Sequence, residues 1–168
     1  MRRVIVESPF QGYNIKRNEV YMTRCLKSVI DMGGAPFASH AIYPQVLDED
    51  DPKQRALGIQ LGYAFWQGAD SISFFLDYGM SEGMEAAYER AVSLGMKIEV
   101  SFIGKNEGED NGEPAFVPSG NTTVDSLVRA SIRDGGVSGT SPSDVTFIDP
   151  ATWRGSAWLP SFWRRLFG

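Results

Sequence analysis

The apolar run Ile72-Ser73-Phe74-Phe75-Leu76 ends at a carboxylate, Asp77, turns on Gly79 and Gly83, and passes into a helical segment that stops at Gly95. A strand feeding a helix through a glycine turn is half of a parallel crossover unit. The pattern recurs along the first hundred residues. Arg3 to Ser8 reads as a strand, and Asn18 to Met32 carries Val20, Tyr21, Cys25, Leu26, Val29 and Ile30 at helical spacing before Gly33-Gly34 stops it. A short strand follows at Ala35 to Ser39, then a long loop through His40, Tyr43 and Pro44. Asp51-Pro52 is a helix entry, aspartate capping and proline at the first position, and the helix is expected to run to Gln67. Lys97 to Phe102 is the fourth strand.

This β-α-β-α-β-α-β alternation predicts an α/β fold: a Rossmann-like parallel sheet of four to five strands with helices on both faces and right-handed crossovers. The expected organisation is an α/β core over residues 1–103, to which the resemblance described below assigns nucleoside binding. Residues 104–149 follow as a polar loop, a helix near Thr123 to Arg133 and an edge strand near Val145 to Ile148. An irregular extension, the aromatic and basic tail 150–168, holds three of the four tryptophans.

Composition narrows the function. Sixteen basic against twenty-one acidic residues give a formal charge of −5, which argues against nucleic acid as a partner. One cysteine, Cys25, and one histidine, His40, exclude an intrachain disulfide and a Cys/His metal site. No cofactor is expected. The acidic run Asp48 to Asp51 lacks the alternation of a calcium loop. No apolar stretch approaches the roughly 18 residues of a membrane span, so no stable membrane insertion and a cytoplasmic location are expected.

In a parallel α/β sheet, ligands bind in the crevice beyond the carboxyl ends of the strands. Three polar clusters fall there: Glu7 and Ser8 with Phe10, Gln11, Tyr13 and Asn14; Ser39 and His40 with Tyr43; and Asp77, Gly79, Ser81, Glu82 and Glu85. Ser81 is a good helix cap, and acidic residues in a first turn complement the helix dipole by about 0.3 to 1 kcal/mol each. Two carboxylates facing one pocket also permit glycosidic chemistry, one attacking the sugar carbon while another group handles the proton.

The segment Gly83-Met84-Glu85, followed by Tyr88 and Ala91 and preceded by Asp77 and Gly79, resembles the nucleoside 2-deoxyribosyltransferase-like superfamily, which includes nucleotide N-glycoside hydrolases. Ser8-Pro9-Phe10 and Ala69-Asp70 are similar to that group as well. The resemblance covers about residues 3 to 102 and is closest to a short, uncharacterised branch with runs like Val6-Glu7-Ser8-Pro9-Phe10, Ala38-Ser39-His40 and Ser81-Glu82-Gly83-Met84.

The resemblance implies an enzyme in which Glu85 is the nucleophile, Asp77 or Asp70 handles the proton on the base, and Tyr13 orients the catalytic carboxylate or the sugar. Phe10 would stack on the base. Ser81 with the backbone of Gly79 and Gly83 would hold the sugar's 5′ end. Ser8, Asn14 and His40 complete the expected binding set. Glu82 would repel a phosphate at that helix start, favouring an uncharged nucleoside or a phosphate met by Lys16 or Arg17. The leading expectation is cleavage or transfer at the N-glycosidic bond of a nucleoside or nucleotide by a homo-oligomer. The alternatives are a non-catalytic nucleotide-binding or sequestering module and an assembly protein acting through its C-terminal tail.

Overall fold

The computed structural model describes residues 1–10, 14–108 and the strand 146–148. Its strands are β1 (Arg2–Glu7), β2 (Gly34–Phe37), β3 (Ser71–Phe75), β4 (Ile98–Ser101) and β5 (Thr146–Ile148). Its helices are α1 (Ile15–Asp31), α2 (Pro52–Ala64) and α3 (Glu82–Ser93). The sheet order is β2-β1-β3-β4-β5; the first four strands are parallel, and β5 pairs antiparallel with β4. The chain is thus an α/β, Rossmann-like sheet. Residues 11–13, 109–145 and 149–168 lie outside the description, and with them the expected helix at 123–133 and the tail.

The pleat divides the core into two layers. Ile5 of β1, Ile72, Phe74 and Leu76 in and after β3, and Ile98 and Val100 of β4 pack with Trp66 and with Met84, Ala87, Tyr88 and Ala91 of α3. On the other face Val4, Val6 and Phe75 meet Tyr21, Cys25 and Val29 of α1. The connection from β1 to β2 therefore runs on one face, and those from β2 to β3 and β3 to β4 on the other. The strand order reverses between β1 and β3. That is the topological switch point, where the loops leaving two neighbouring strands diverge and open a crevice.

Pro36 lies in β2, an edge strand, where the missing N–H costs no central ladder bond. Helix α2 starts as expected: Asp51 accepts from the Lys53 N–H at 2.9 Å, with Pro52 next. It ends at Ala64 rather than Gln67, because the chain tightens into a 3₁₀ turn at Trp66–Gly68. The long loop after β2 carries two further 3₁₀ turns at Ser39–Ala41 and Tyr43–Gln45. Helix α2 packs tightly on it, since a Cβ at Gly62 would lie 2.7 Å from the Ser39 Cβ. On the flank next to Gly62, Leu57 and Leu61 are exposed one turn apart, and Phe65 just after the helix stacks on Phe37 at 4.2 Å while remaining half open, so the apolar residues of α2 do not form one face.

The carboxyl edge is tied by one buried side chain. Asp77, directly after β3, accepts hydrogen bonds from the Tyr21 hydroxyl of α1 at 2.5 Å, the Ile103 N–H at 3.0 Å and the Gly104 N–H at 2.7 Å. Arg24 of α1 grips the same segment, donating to the carbonyls of Ile103, Gly104 and Lys105 at 2.9 to 3.1 Å. Asp77→Ala leaves three donors without their acceptor, at about 1–3 kcal/mol for each that stays buried. We expect a loss of at least about 3 kcal/mol in urea unfolding, with Tyr21→Phe costing less because the Ile103 and Gly104 N–H groups keep their acceptor, although the Asp77 N–H loses the Tyr21 hydroxyl it donates to at 3.2 Å.

Candidate active site at the switch point

The loop leaving β1 is fixed from both sides. Ser8 is buried and its Oγ lies 2.9 Å from His40 Nε2, while Asn18 of α1 donates to the Phe10 carbonyl at 3.0 Å. The Phe10 ring stands 5.8 Å from the His40 ring, tilted by 53°. Phe10 and His40 line a cleft of about 220 Å³ with Glu19, Met22 and Thr23 of α1 and with Ala41, Pro44 and Gln45. Such a volume is below the ~300–1,000 Å³ of sites that enclose a drug-sized ligand. It suits one flat part of a ligand rather than the whole. Burial lowers the His40 pKa from 6.5 to about 4, so the imidazole is neutral at pH 7.

On the β3 side, Gly79 takes φ +80° in the turn after Asp77, a conformation that favours glycine, and its N–H reaches the Leu76 carbonyl at 2.9 Å. Ser81 caps α3, accepting from the Met84 N–H at 3.4 Å. Glu82 and Glu85 stand in the first turn, and the space beside Gly83 is open. Asn14 caps α1 by position only, for its side chain makes no cap bond.

Among the expected catalytic residues, the structure separates the roles. Asp77 lies at the crevice floor, but its oxygens accept three hydrogen bonds from the fold, so it acts first as an anchor. Asp70 does not join the site. It precedes β3 and so sits at the amino edge, where it pairs with the Arg3 side chain at 3.1 Å and accepts from the Arg3 N–H at 2.7 Å. The Arg3 bonds hold its pKa at about 2. Tyr13 lies outside the described residues. Glu85 is half-buried on α3, and Ser8, Phe10, His40, Gly79, Ser81 and Gly83 are all in segments that leave the carboxyl edge or start α3.

Over residues 2–101, more than half its length, the sequence matches a family described as a domain of unknown function, DUF7768. The chain belongs to that family. No curated protein matches it. Among solved structures, it is similar to a 2-deoxyribosyltransferase from Bacillus psychrosaccharolyticus at 14% identity and a TM-score of 0.47, over 60% of this chain and 72% of that one.

The DUF7768 domain also holds groups to which the sequence reading gave no separate role. Glu7, the last residue of β1, shares the face of Ile5 and lies opposite Phe74 in the β1–β3 register. Tyr63 of α2 senses its charge, and the Arg90 guanidinium of α3 stacks on that tyrosine ring at 4.0 Å. Desolvation raises the Glu7 pKa from 4.5 to about 8. The two-residue period of β1 was the available signal: a strand whose Ile5 faces inward carries Glu7 inward as well. Nothing in the spacing announces Tyr63 or Arg90, because α2 has no clean apolar face.

These shifts fix a pH dependence with opposite signs. The folded pKa of Glu7 lies above its unfolded value, so its contribution is fully present below pH 4.5 and is lost as pH rises through about 8. The folded pKa of His40 lies below its unfolded value, so its contribution is present above pH 6.5 and is lost as pH falls through about 4. We expect Glu7→Gln to gain stability relative to the parent between pH 5 and pH 8.5, by at most a few kcal/mol. Urea midpoints measured at both pH values check this; a gain at pH 5 equal to that at pH 8.5 would show that Glu7 is ionised throughout.

Proposed function

We propose that this domain cleaves or transfers the N-glycosidic bond of a nucleoside or nucleotide, with the carboxylate of Glu85 attacking the sugar carbon. The observation that carries the reading is topological: the loop after β1 and the turn after β3 leave the carboxyl edge on either side of the β1–β3 switch point. A flat aromatic and a neutral imidazole, Phe10 and His40, stand on the β1 side; a helix start bearing Glu85 stands on the β3 side. A heterocyclic base suits the first wall, and a sugar reaching toward α3 meets a carboxylate suited to stabilise an oxocarbenium-like centre. Ser81 and the backbone at Gly79 and Gly83 are the proposed contacts of the sugar's 5′ end, and Ser8 and Asn14 shape the base loop. No metal or redox group enters this scheme.

The test is release of free base. The protein is incubated with a panel of 2′-deoxynucleosides, ribonucleosides, their 5′-monophosphates and NAD, and products are separated by chromatography. Glu85→Ala is expected to reduce base release by on the order of 10³-fold or more with an unchanged melting temperature. An active variant would remove Glu85 from the nucleophile's role. Should no substrate release base while nucleotides raise the melting temperature, the domain binds without turnover.

We also propose that the chain acts as a homo-oligomer, supported by the exposed apolar residues Leu57, Leu61 and Phe65 along α2. Light scattering of the full chain at working concentration is expected to give more than the 18.5 kDa of one copy. Leu61→Glu is expected to return it to that mass. A monomeric parent protein would defeat the proposal.

A further inference from the structure

We infer that Glu7, rather than Asp77 or Asp70, is the general acid that protonates the departing base; the inference rests on the glycosidic reading above. Of the three carboxyl groups, Asp70 is at the wrong edge of the sheet, paired with Arg3, and Asp77 already accepts three hydrogen bonds. Glu7 stands at the carboxyl end of β1, at the strand reversal where the crevice opens, and among the described residues its carboxyl has no hydrogen bond or ion pair. Phe74 lies beside it in the sheet, and Tyr63 of α2 is close enough to feel a charge on it.

The charged and titratable groups near it on the packed elements are few. Tyr63 comes from α2, and Arg90 from α3 lies against that ring; Tyr88 of α3 lies over Phe74 at 5.9 Å. Burial keeps a carboxyl in this position protonated at neutral pH, as a general acid must be. The same desolvation makes its proton available only to a group that enters the crevice.

Helix phase places the two carboxyl groups for an in-line displacement. Arg90 faces α2, since it stacks on Tyr63. Glu85 precedes it by five residues, about 500° of rotation or 140° net at ~3.6 residues per turn. Glu85 therefore leaves α3 on the flank away from α2, and Glu7 lies on the α2 side. A nucleoside across the start of α3 has its base toward Glu7, Phe10 and His40 and its sugar toward Glu85. The carboxylate then attacks from the side opposite the leaving group.

In the first step a Glu85 oxygen bonds to C1′ and the C1′–N bond breaks, its electron pair passing to the base. The Glu7 proton moves to a ring nitrogen, leaving Glu7 as carboxylate. In the second step water attacks C1′ and gives a proton to the Glu7 carboxylate while the bond from C1′ to the Glu85 oxygen breaks, its electron pair returning to Glu85, which restores both groups. Protonation of a ring nitrogen distant from the glycosidic one lets the acid and the nucleophile stand farther apart than in enzymes that protonate the glycosidic oxygen itself.

The test uses Glu7→Gln, which keeps the shape and neutrality of the protonated acid. Wild-type, Glu7→Gln and Glu85→Gln proteins are compared on a natural nucleoside and on a 4-nitrophenyl glycoside of the same sugar, whose leaving group departs without a proton. Glu7→Gln is expected to lose about 10²- to 10⁴-fold in kcat/KM on the nucleoside and less than about tenfold on the activated glycoside. Glu85→Gln is expected to lose both. Infrared difference spectra of the wild-type protein should show a protonated carboxyl at pH 7 that disappears near pH 8 and is missing in Glu7→Gln. Equal losses by Glu7→Gln on the two substrates, full nucleoside activity in that variant, or no such carboxyl band would each overturn the assignment of Glu7 while leaving Glu85 in place. A wild-type protein inactive on both substrates would overturn the glycosidic reading itself.

Discussion

The bonds converging on Asp77 hold the carboxyl edge in one shape. A buried carboxylate is costly unless its oxygens are satisfied, and here three donors come from two separate parts of the chain: α1 through Tyr21, and the segment after β4 through Ile103 and Gly104. Arg24 reaches the same segment from α1, and Arg17 stacks on the neighbouring Tyr78 ring at 4.3 Å. These contacts lie on the α1 face. The α2 and α3 face of the same edge takes no part in them, so Asp77 can be rigid while Glu7, on that other face, stands apart from its hydrogen bonds.

Desolvation acts on both walls of the crevice, with opposite results for acid and base. It keeps the Glu7 carboxyl protonated and the His40 imidazole unprotonated, so both groups are neutral at pH 7. On the wall of the crevice formed by Glu7 and His40, two titratable groups therefore add no charge, while Glu19 at the rim of the Phe10–His40 cleft is an exposed carboxylate. That matters for ligand choice. A neutral heterocycle loses little on entering such a wall, whereas a phosphate would meet Glu82 and Glu85 at the first turn of α3. The electrostatics favour a ligand whose charge, if it has one, stays toward α1, where Lys16 and Arg17 begin the helix.

The fold was legible because apolar runs and glycine stops coincide in this chain. Ile72 to Leu76 is bounded by Asp70 and Asp77, and Gly33-Gly34 and Gly95 end their helices where expected; strand ends differ by one or two residues. Helix α2 was found by its Asp51-Pro52 entry and not by periodicity, since Leu57 and Leu61 are exposed and its buried residues are the glycines Gly58 and Gly62. The site was half legible. Residues at the carboxyl ends of strands were placed correctly by topology, but the resemblance drew Asp70 into the set, and a residue that precedes a parallel strand must lie at its amino edge. The environment of the half-buried Glu7 depends on which elements pack over the carboxyl end of β1, and no local pattern encodes that tertiary packing.

The two flanks of α3 give the proposed chemistry its direction. A helix start offers N–H groups to a ligand from its end, but its side chains leave around the circumference, so one helix can separate a nucleophile from the groups that receive the leaving base. Met84, Ala87, Tyr88 and Ala91 hold the buried stripe of α3 against the sheet. That stripe fixes Arg90 on one side and Glu85 on the other. Sliding the helix by one residue would turn Glu85 by about 100° and put it against the sheet or into solvent. The packing of Met84 and Tyr88 therefore sets the direction in which Glu85 leaves the helix, and with it the angle of attack in the proposed reaction.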